Sequence, residues 1–119
     1  LVGSEMCIRD SPCTFVEVAA KAGWEGTGVW FDPSTWTDRT TSDVRKRVDD
    51  TGLTVVDMEV IRMGPKGDCG ERLIEAASVI GARNILTISN FDSIEATAER
   101  LTNFASWLVH QISGYVSNL

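Results

Sequence analysis

Charged side chains mark the end of the most apolar segment of the chain, between residues 52 and 70. Glu59 and Arg62 lie in or at the end of a run of β-branched and other apolar residues, and Asp57 lies deeper in the same run. This composition is typical of a strand buried on both faces, as in a parallel sheet. Charges near the carboxyl end of such a strand are where α/β enzymes place their chemistry. We predict that Glu59 and Arg62 bind substrate, with a structural pair as the alternative, and that Asp57 is structural.

Polar and aromatic side chains end two further predicted strands. Trp30 and Asp32 close the segment 24–31, and Asn90 follows the segment 84–89. A tryptophan there can wall one side of a sugar pocket, and an aspartate or an asparagine can bind a hydroxyl group. The alternatives are a core aromatic for Trp30, a turn-forming aspartate for Asp32 and a cap-like role for Asn90. We include all three among the candidate substrate-binding residues.

Hydrophobic periodicity alternates between helical and strand patterns along the whole chain. It predicts helices over residues 14–23, 41–51, 71–80 and 92–111, and strands over residues 24–31, 53–62, 84–89 and 115–119. Gly52, Gly81 and Gly114 are the predicted helix stops, and Thr40 with Asp43 has the spacing of a capping box. Strands that alternate with helices predict an α/β protein with a parallel sheet.

Composition narrows the class of protein and its partners. The chain has 119 residues and a net charge of −6, which argues against a nucleic-acid or anionic-membrane partner. Its longest apolar runs fall far short of the roughly 20 residues that span a bilayer. The three cysteines have no paired spacing and indicate free thiols in a reducing compartment. We expect a cytoplasmic protein.

The first eleven residues fit nothing that follows them. LVGSEMCIRDS matches, residue for residue, one translated frame of a common transposon-type sequencing adapter. We interpret residues 1–11 as a non-native segment, with a disordered native N-terminus as the alternative. Residues 12–119 are interpreted as part of the native domain. We expect the first segment to lack pairing in the sheet.

Three stretches together resemble a known family: AAKAGWEGTGVWFD (19–32), VRKRVDDTGLTVVDMEVIRMG (44–64) and ERLIEAASVIGARNILTIS (71–89). They are similar to the N-terminal half of xylose isomerase-like TIM barrels, in the sugar phosphate isomerase/epimerase superfamily. The resemblance implies a partial (β/α) barrel with parallel strands two to four, the start of strand five and helices on one face. It also implies an inner face that carries Val29, Val55 and Leu86.

The same resemblance implies a function for the parent protein. Members of the superfamily are metal-dependent isomerases or epimerases that remove and return a proton next to a carbonyl of a sugar or keto-polyol, and a polyol dehydratase is a close variant. Their divalent metal (Mn, Mg, Co or Zn) is held near the ends of strands five to eight. No catalytic residue or metal ligand therefore transfers to this chain, and we expect the fragment to bind no metal and to be inactive alone. The parent is expected to act on a small molecule and to be able to form homo-oligomers.

Two other functions fit the same pattern. An endonuclease IV-like DNA-repair enzyme shares the barrel, but such relatives place histidine ligands at the third and fourth strand ends. Glu59, Arg62 and Asn90 stand there in this chain, and its acidity also counts against nuclease activity. A flavodoxin-type regulatory or binding domain would show the same alternation of strands and helices.

Overall fold

The computed structural model describes residues 2–3 and 11–117, with side chains over residues 11–110. Strands and helices alternate through this part of the chain. The strands are β1 (Val2–Gly3), β2 (Gly26–Trp30), β3 (Thr54–Met63) and β4 (Asn84–Ser89). The helices are α1 (Pro12–Lys21), α2 (Asp38–Thr51), α3 (Gly70–Ile80) and α4 (Ile94–Ser117).

The sheet has the sequential order β1-β2-β3-β4, and every neighbouring pair is parallel. This confirms the α/β class and the parallel arrangement predicted from the sequence. A flavodoxin-type sheet reverses its strand order at a switch point. The sequential order therefore counts against that alternative and agrees with part of a barrel.

The four helices cover one face of the sheet. Each helix contacts the next one along the chain, which helices on opposite faces of a sheet could not do. The hydrophobic core lies between the helices and the sheet. Its fully buried side chains include Val29, Met58 and Ile61 from the strands and Val44 and Leu73 from the helices. The opposite face of the sheet carries no helix within the described residues.

Two valines expected on the open face belong instead to the core. Val29 and Val55 are buried under the helices, whereas Leu86 is exposed as predicted. Val29 pairs with Met58, one residue before Trp30 pairs with Glu59. Because neighbouring residues of a strand point to opposite faces, the tryptophan takes the open face and Val29 takes the core.

Helix α2 begins three residues earlier than the sequence predicted. Thr37 is the N-cap, and it forms a capping box with Thr40, so the expected box of Thr40 and Asp43 is wrong by one turn. The indole of Trp36 donates to the hydroxyl of Thr41 at 2.8 Å, which fixes the entry to the helix. The predicted glycine stops are correct for α2 and α3: Gly52 and Gly81 adopt the left-handed conformation at φ 71° and 85°.

The last helix contradicts the predicted fifth strand. Helix α4 runs through Gly114 to Ser117, so Tyr115 begins no strand; residues 118–119 lie outside the described part. A glycine inside a helix costs about 1 kcal/mol relative to alanine, which the other 23 residues of a 24-residue helix can offset. Neither α4 nor any other helix in the described ranges combines the length and apolar character that crossing a bilayer requires.

The N-terminal segment also departs from the expectation. Val2 and Gly3 pair with Gly26 and Thr27 of β2, at the position where a barrel has its first strand. The expectation that residues 1–11 lack sheet pairing is therefore wrong for these two residues. Backbone hydrogen bonds along an open strand edge can accept almost any extended segment, so this pairing does not depend on the origin of the sequence. Ser11 also caps α1, with its hydroxyl accepting from the Thr14 amide at 3.2 Å.

Candidate functional site

A bulge in β3 brings Glu59 and Arg62 to the same face of the sheet. Simple alternation would point residues three apart to opposite faces. Glu59 pairs with Leu86, and Arg62 pairs with Ile88, because the register shifts at Val60. Leu86 and Ile88 are two apart on β4 and share the open face. One extra residue on β3 thus re-aims Arg62, as β-bulges do next to functional sites.

Two carboxylates stand together on this open face. Asp57 and Glu59 have the same orientation on β3, and Gly28 pairs with Asp57 from β2. A Cβ atom at residue 28 would lie 2.5 Å from an oxygen of Asp57 and 3.4 Å from an oxygen of Glu59. The missing side chain of Gly28 therefore makes room for both groups. Sequence analysis gave Asp57 a structural role, although its shared parity with Glu59 was a signal that the two belong together.

Burial changes the pKa of Asp57. Glu59 is only 5% exposed. The pKa of Asp57 is raised, first because burial disfavours its charged form and second because the Glu59 carboxylate repels that charge. A carboxyl group with a raised pKa beside a second acid is the pattern from which active sites draw proton donors and acceptors.

Trp30 and Arg62 line one cleft at the carboxyl ends of β2 and β3. The cleft has a volume of about 500 Å³ and lies between the loops that follow these strands. Trp30 pairs with Glu59 in the sheet, so the indole, the two carboxylates and Arg62 follow one another along the open face. Three of the five predicted substrate-binding residues (Trp30, Glu59 and Arg62) thus converge.

Asp32 is engaged in a turn. Its carboxylate accepts from the amide of Ser34 at 2.9 Å and from the hydroxyl of Ser34 at 2.6 Å. These hydrogen bonds lower the pKa of Asp32, the hydroxyl bond most. The carbonyl of Asp32 also accepts from the Trp36 amide at 2.9 Å. This geometry favours the turn-forming alternative, and Asp32 does not line the cleft beside Trp30.

Asn90 stands apart from the other candidates. Its backbone N–H donates to the backbone carbonyl of Met63 at 2.7 Å and continues the pairing of β3 with β4. Its side chain is exposed at the end of β4 and does not line the cleft. A substrate role for Asn90 stays a prediction.

The described residues do not form a metal centre by themselves. Within residues 11–110, no group of three or more histidine, cysteine, aspartate or glutamate side chains is placed to hold a metal ion. The open face offers the two carboxylates of Asp57 and Glu59. His110 is exposed on α4, away from the strand ends.

Asp57→Asn should raise stability at neutral pH. A carboxyl group whose pKa is higher in the folded state binds its proton more tightly there, so stability falls as pH rises from 3.8 through the raised pKa and stays lowered above it. The amide removes this penalty. Urea midpoints measured from pH 3 to pH 8 should therefore diverge in favour of the variant as pH rises.

The matched control is Asp50→Asn on α2. Asp50 has a lowered pKa, because it accepts a hydrogen bond from Lys46 at 2.7 Å. Its replacement should give no gain at neutral pH. Equal pH profiles for wild type and Asp57→Asn would show that Asp57 carries no such penalty.

Comparison with known proteins bears on the fold and not on the site. No protein-family model matches the chain, and no curated protein does. Among solved structures, a xylose isomerase-like TIM barrel/4-hydroxyphenylpyruvate dioxygenase fusion protein matches with a TM-score of 0.58 and 14% identity. The match covers 72% of this chain and 15% of that protein's length. At this identity the likeness shows the fold alone: the chain folds as part of a TIM barrel.

Proposed function

We propose that this chain forms part of an isomerase or epimerase that acts on a sugar or keto-sugar by moving a proton next to a carbonyl. The observation that carries the proposal is the open face of the sheet, where Trp30 and Arg62 lie at the carboxyl ends of β2 and β3 and Glu59 and Asp57 follow deeper along β3. Barrel enzymes place their sites at this end. The fold shared with a xylose isomerase-like barrel supports the class of reaction.

Each of these side chains suits part of a polyol. The indole of Trp30 can pack against the carbon skeleton of a sugar while its neighbours bind the oxygens. The carboxylates of Asp57 and Glu59 accept hydrogen bonds from hydroxyl groups, and Arg62 donates to carbonyl or acidic oxygens. Burial of Glu59 keeps competing water away from one end of this row. The proposal gives these residues binding and orienting roles and assigns no catalytic residue to the chain.

A divalent metal (Mn, Mg, Co or Zn) is part of the proposal for the whole protein. Such a metal would stabilise negative charge on the substrate oxygens. Mg²⁺ has six oxygen ligands, and because water molecules can supply several of them, the protein can supply fewer than six. Asp57 and Glu59 alone do not make such a set, and the described residues add no third ligand group. We therefore place the metal ligands outside these residues and derive no reaction step through the metal.

Weak sugar binding that depends on Trp30 is the expected result in solution. Saturation-transfer NMR on the 119-residue chain, with a panel of ketoses and inososes and without metal, should find at least one that binds. Trp30→Leu should weaken that binding about tenfold, because leucine keeps part of the apolar contact and the remaining loss is worth about 1.4 kcal/mol.

The matched control is Trp24→Leu. Trp24 precedes β2 at the opposite end of the strand and is likewise half-buried. Its replacement should leave sugar binding unchanged. Absence of binding by every sugar, or equal loss in the two variants, would contradict the proposal.

A further inference from the structure

We propose that the cleft beside Trp30 binds the anionic group of a small organic acid or phosphate ester. The inference rests on the proposed function and deepens it, since it makes the substrate an acidic sugar derivative rather than a neutral one. It is carried by the size of the cleft, by its charge and by its contrast with two other clefts among the described residues.

The cleft has the size of a small-molecule site. Its volume of about 500 Å³ falls within the usual range of roughly 300–1,000 Å³. The loop after β2 borders one side, and the loop after β3 with the first turns of α3 borders the other. The titratable side chains in its lining are Arg62, Lys66, Asp68, Cys69 and Arg72.

The one acid of this lining is already neutralised. The Asp68 side chain is 2% exposed. Its carboxylate accepts from the Nε and the Nη2 of Arg100 at 3.0 and 2.9 Å, and from the amide of Gly70 at 2.8 Å. Burial raises the pKa of Cys69, so its thiol stays protonated. Neither side chain offers negative charge to the cleft.

None of the three cations of the lining forms an ion pair within the described residues. Arg72 donates to two neutral acceptors, the carbonyls of Pro33 and Trp36, both at 3.0 Å. Arg62 and Lys66 are exposed, and among the described residues neither forms an ion pair. A surplus of positive charge at a concave surface attracts anions and orients their oxygens.

This surplus of positive charge contrasts with the acidity of the whole chain. The chain as a whole has a net charge of −6. A second cleft, between α2 and α3, sets Arg72 against Asp38 and Glu75. A third, at the opposite end of the sheet, sets Arg45 and Arg83 against Asp49. Among these three clefts, the one beside Trp30 has the largest surplus of positive charge. The second has two acids for one cation, and the third has one acid for two cations.

The remaining lining indicates what carries the anionic group. Trp30, Phe31 and Val60 also line the cleft and give it an apolar wall. A bare inorganic anion would leave this wall wet, whereas a carbon skeleton would cover it. The ligand chemistry that fits is therefore an anionic oxygen group, carboxylate or phosphate, on a short carbon body.

The test is an NMR titration of the 119-residue chain at constant ionic strength. The probes are sodium phosphate, sodium succinate, glucose 6-phosphate and, as the neutral comparison, glucose. Saturable shifts are expected at the Gly67 and Asp68 amides and at the Trp30 indole with the anions, and binding of the sugar phosphate should be tighter than that of phosphate. Arg62→Gln and Lys66→Gln should each weaken anion binding about fivefold. Lys21→Gln, an equal change of charge on α1, should leave it unchanged.

The outcomes separate this inference from the proposed function. Anion binding that is lost in Arg62→Gln and Lys66→Gln but kept in Lys21→Gln supports the inference, even if no sugar is ever turned over. Preference for phosphate or for succinate identifies which acidic group the site takes and also supports it. No saturable shifts, or equal weakening in all three variants, would overturn it and would leave a neutral-sugar isomerase standing.

Discussion

Arg100→Met is expected to lower the free energy of unfolding by about 3 kcal/mol, the low end of the range for breaking a buried ion pair. Arg100 makes two hydrogen bonds to Asp68, contacts Glu71 at 3.2 Å and stacks at 4.1 Å over the ring of Phe104. The Asp68 side chain is 2% exposed, so the variant leaves a buried carboxylate without its cation. Arg100 itself is 24% exposed, which is why the low end applies. Urea unfolding at pH 7 measures the loss.

Two controls identify the buried charge as the cause. Asp68→Asn combined with Arg100→Met should recover part of the loss, because no charge then remains unpaired. Arg39→Met removes an exposed pair with Asp43 at 3.7 Å and should change stability by less than about 0.5 kcal/mol. A change below about 1 kcal/mol for Arg100→Met would mean that water already screens Asp68.

The pH dependence of the same pair has a defined sign. The pKa of Asp68 is lowered, and the hydrogen bonds from the Arg100 side chain are the largest cause. A carboxyl group with a lowered folded pKa contributes stability that is present above 3.8 and lost as pH falls through that lowered pKa. Arg100→Met should therefore flatten the acid limb of the stability profile. This is opposite in sign to the effect of Asp57, whose raised pKa lowers stability as pH rises.

Local sequence patterns located most elements because periodicity is a local property. Strand β4 has the predicted bounds, Asn84–Ser89, and α3 begins one residue before its predicted start. The parallel arrangement follows from the strand–helix alternation. The sequential order does not, because a flavodoxin-type sheet has the same alternation and reverses its strand order. Two features of the structure differ from the prediction. Val2–Gly3 pairs with a strand more than twenty residues away, and α4 continues through Gly114.

The candidate site shows what a strand pattern leaves open. Trp30, Glu59 and Arg62 were found because polar residues at the ends of buried strands stand out against apolar neighbours. That Arg62 shares a face with Glu59 depends on the register of β3 against β4, which one strand's sequence does not determine. Asp32 was an equal candidate until the turn was visible, in which Ser34 takes up its carboxylate.

The open face also explains why the sequence predicts only a structural role for Asp57. Its depth within an apolar run indicated a structural role. The space that lets its carboxylate lie beside that of Glu59 depends on Gly28, which lies on a different strand. A glycine that makes room for two acids leaves no local mark in the sequence, since glycines inside strands also occur at bulges. Pairing between strands was needed to join the three residues into one site.

Gly70→Ala is expected to destabilise the protein by about 2 kcal/mol. A Cβ atom at residue 70 would overlap two ring carbons of Phe104 and lie 2.8 Å from an oxygen of Asp68. Phe104 is buried where α4 packs on α3, so its ring has little room to move. Overpacking of a core costs about 1–3 kcal/mol or more, and the better helix propensity of alanine returns at most about 1 kcal/mol. Urea unfolding measures the balance.

Gly64→Ala is the matched control for this prediction. A Cβ at residue 64 would meet only the Cβ of Asn90, at the ordinary distance of 3.6 Å, so its effect should stay within about 0.5 kcal/mol. Phe104→Leu should partly rescue Gly70→Ala, since the smaller side chain frees the space that the new methyl group needs. The double variant should therefore be more stable than the sum of the two single losses predicts. Strict additivity would place the strain on Asp68 rather than on Phe104, and would join this position to the ion pair with Arg100.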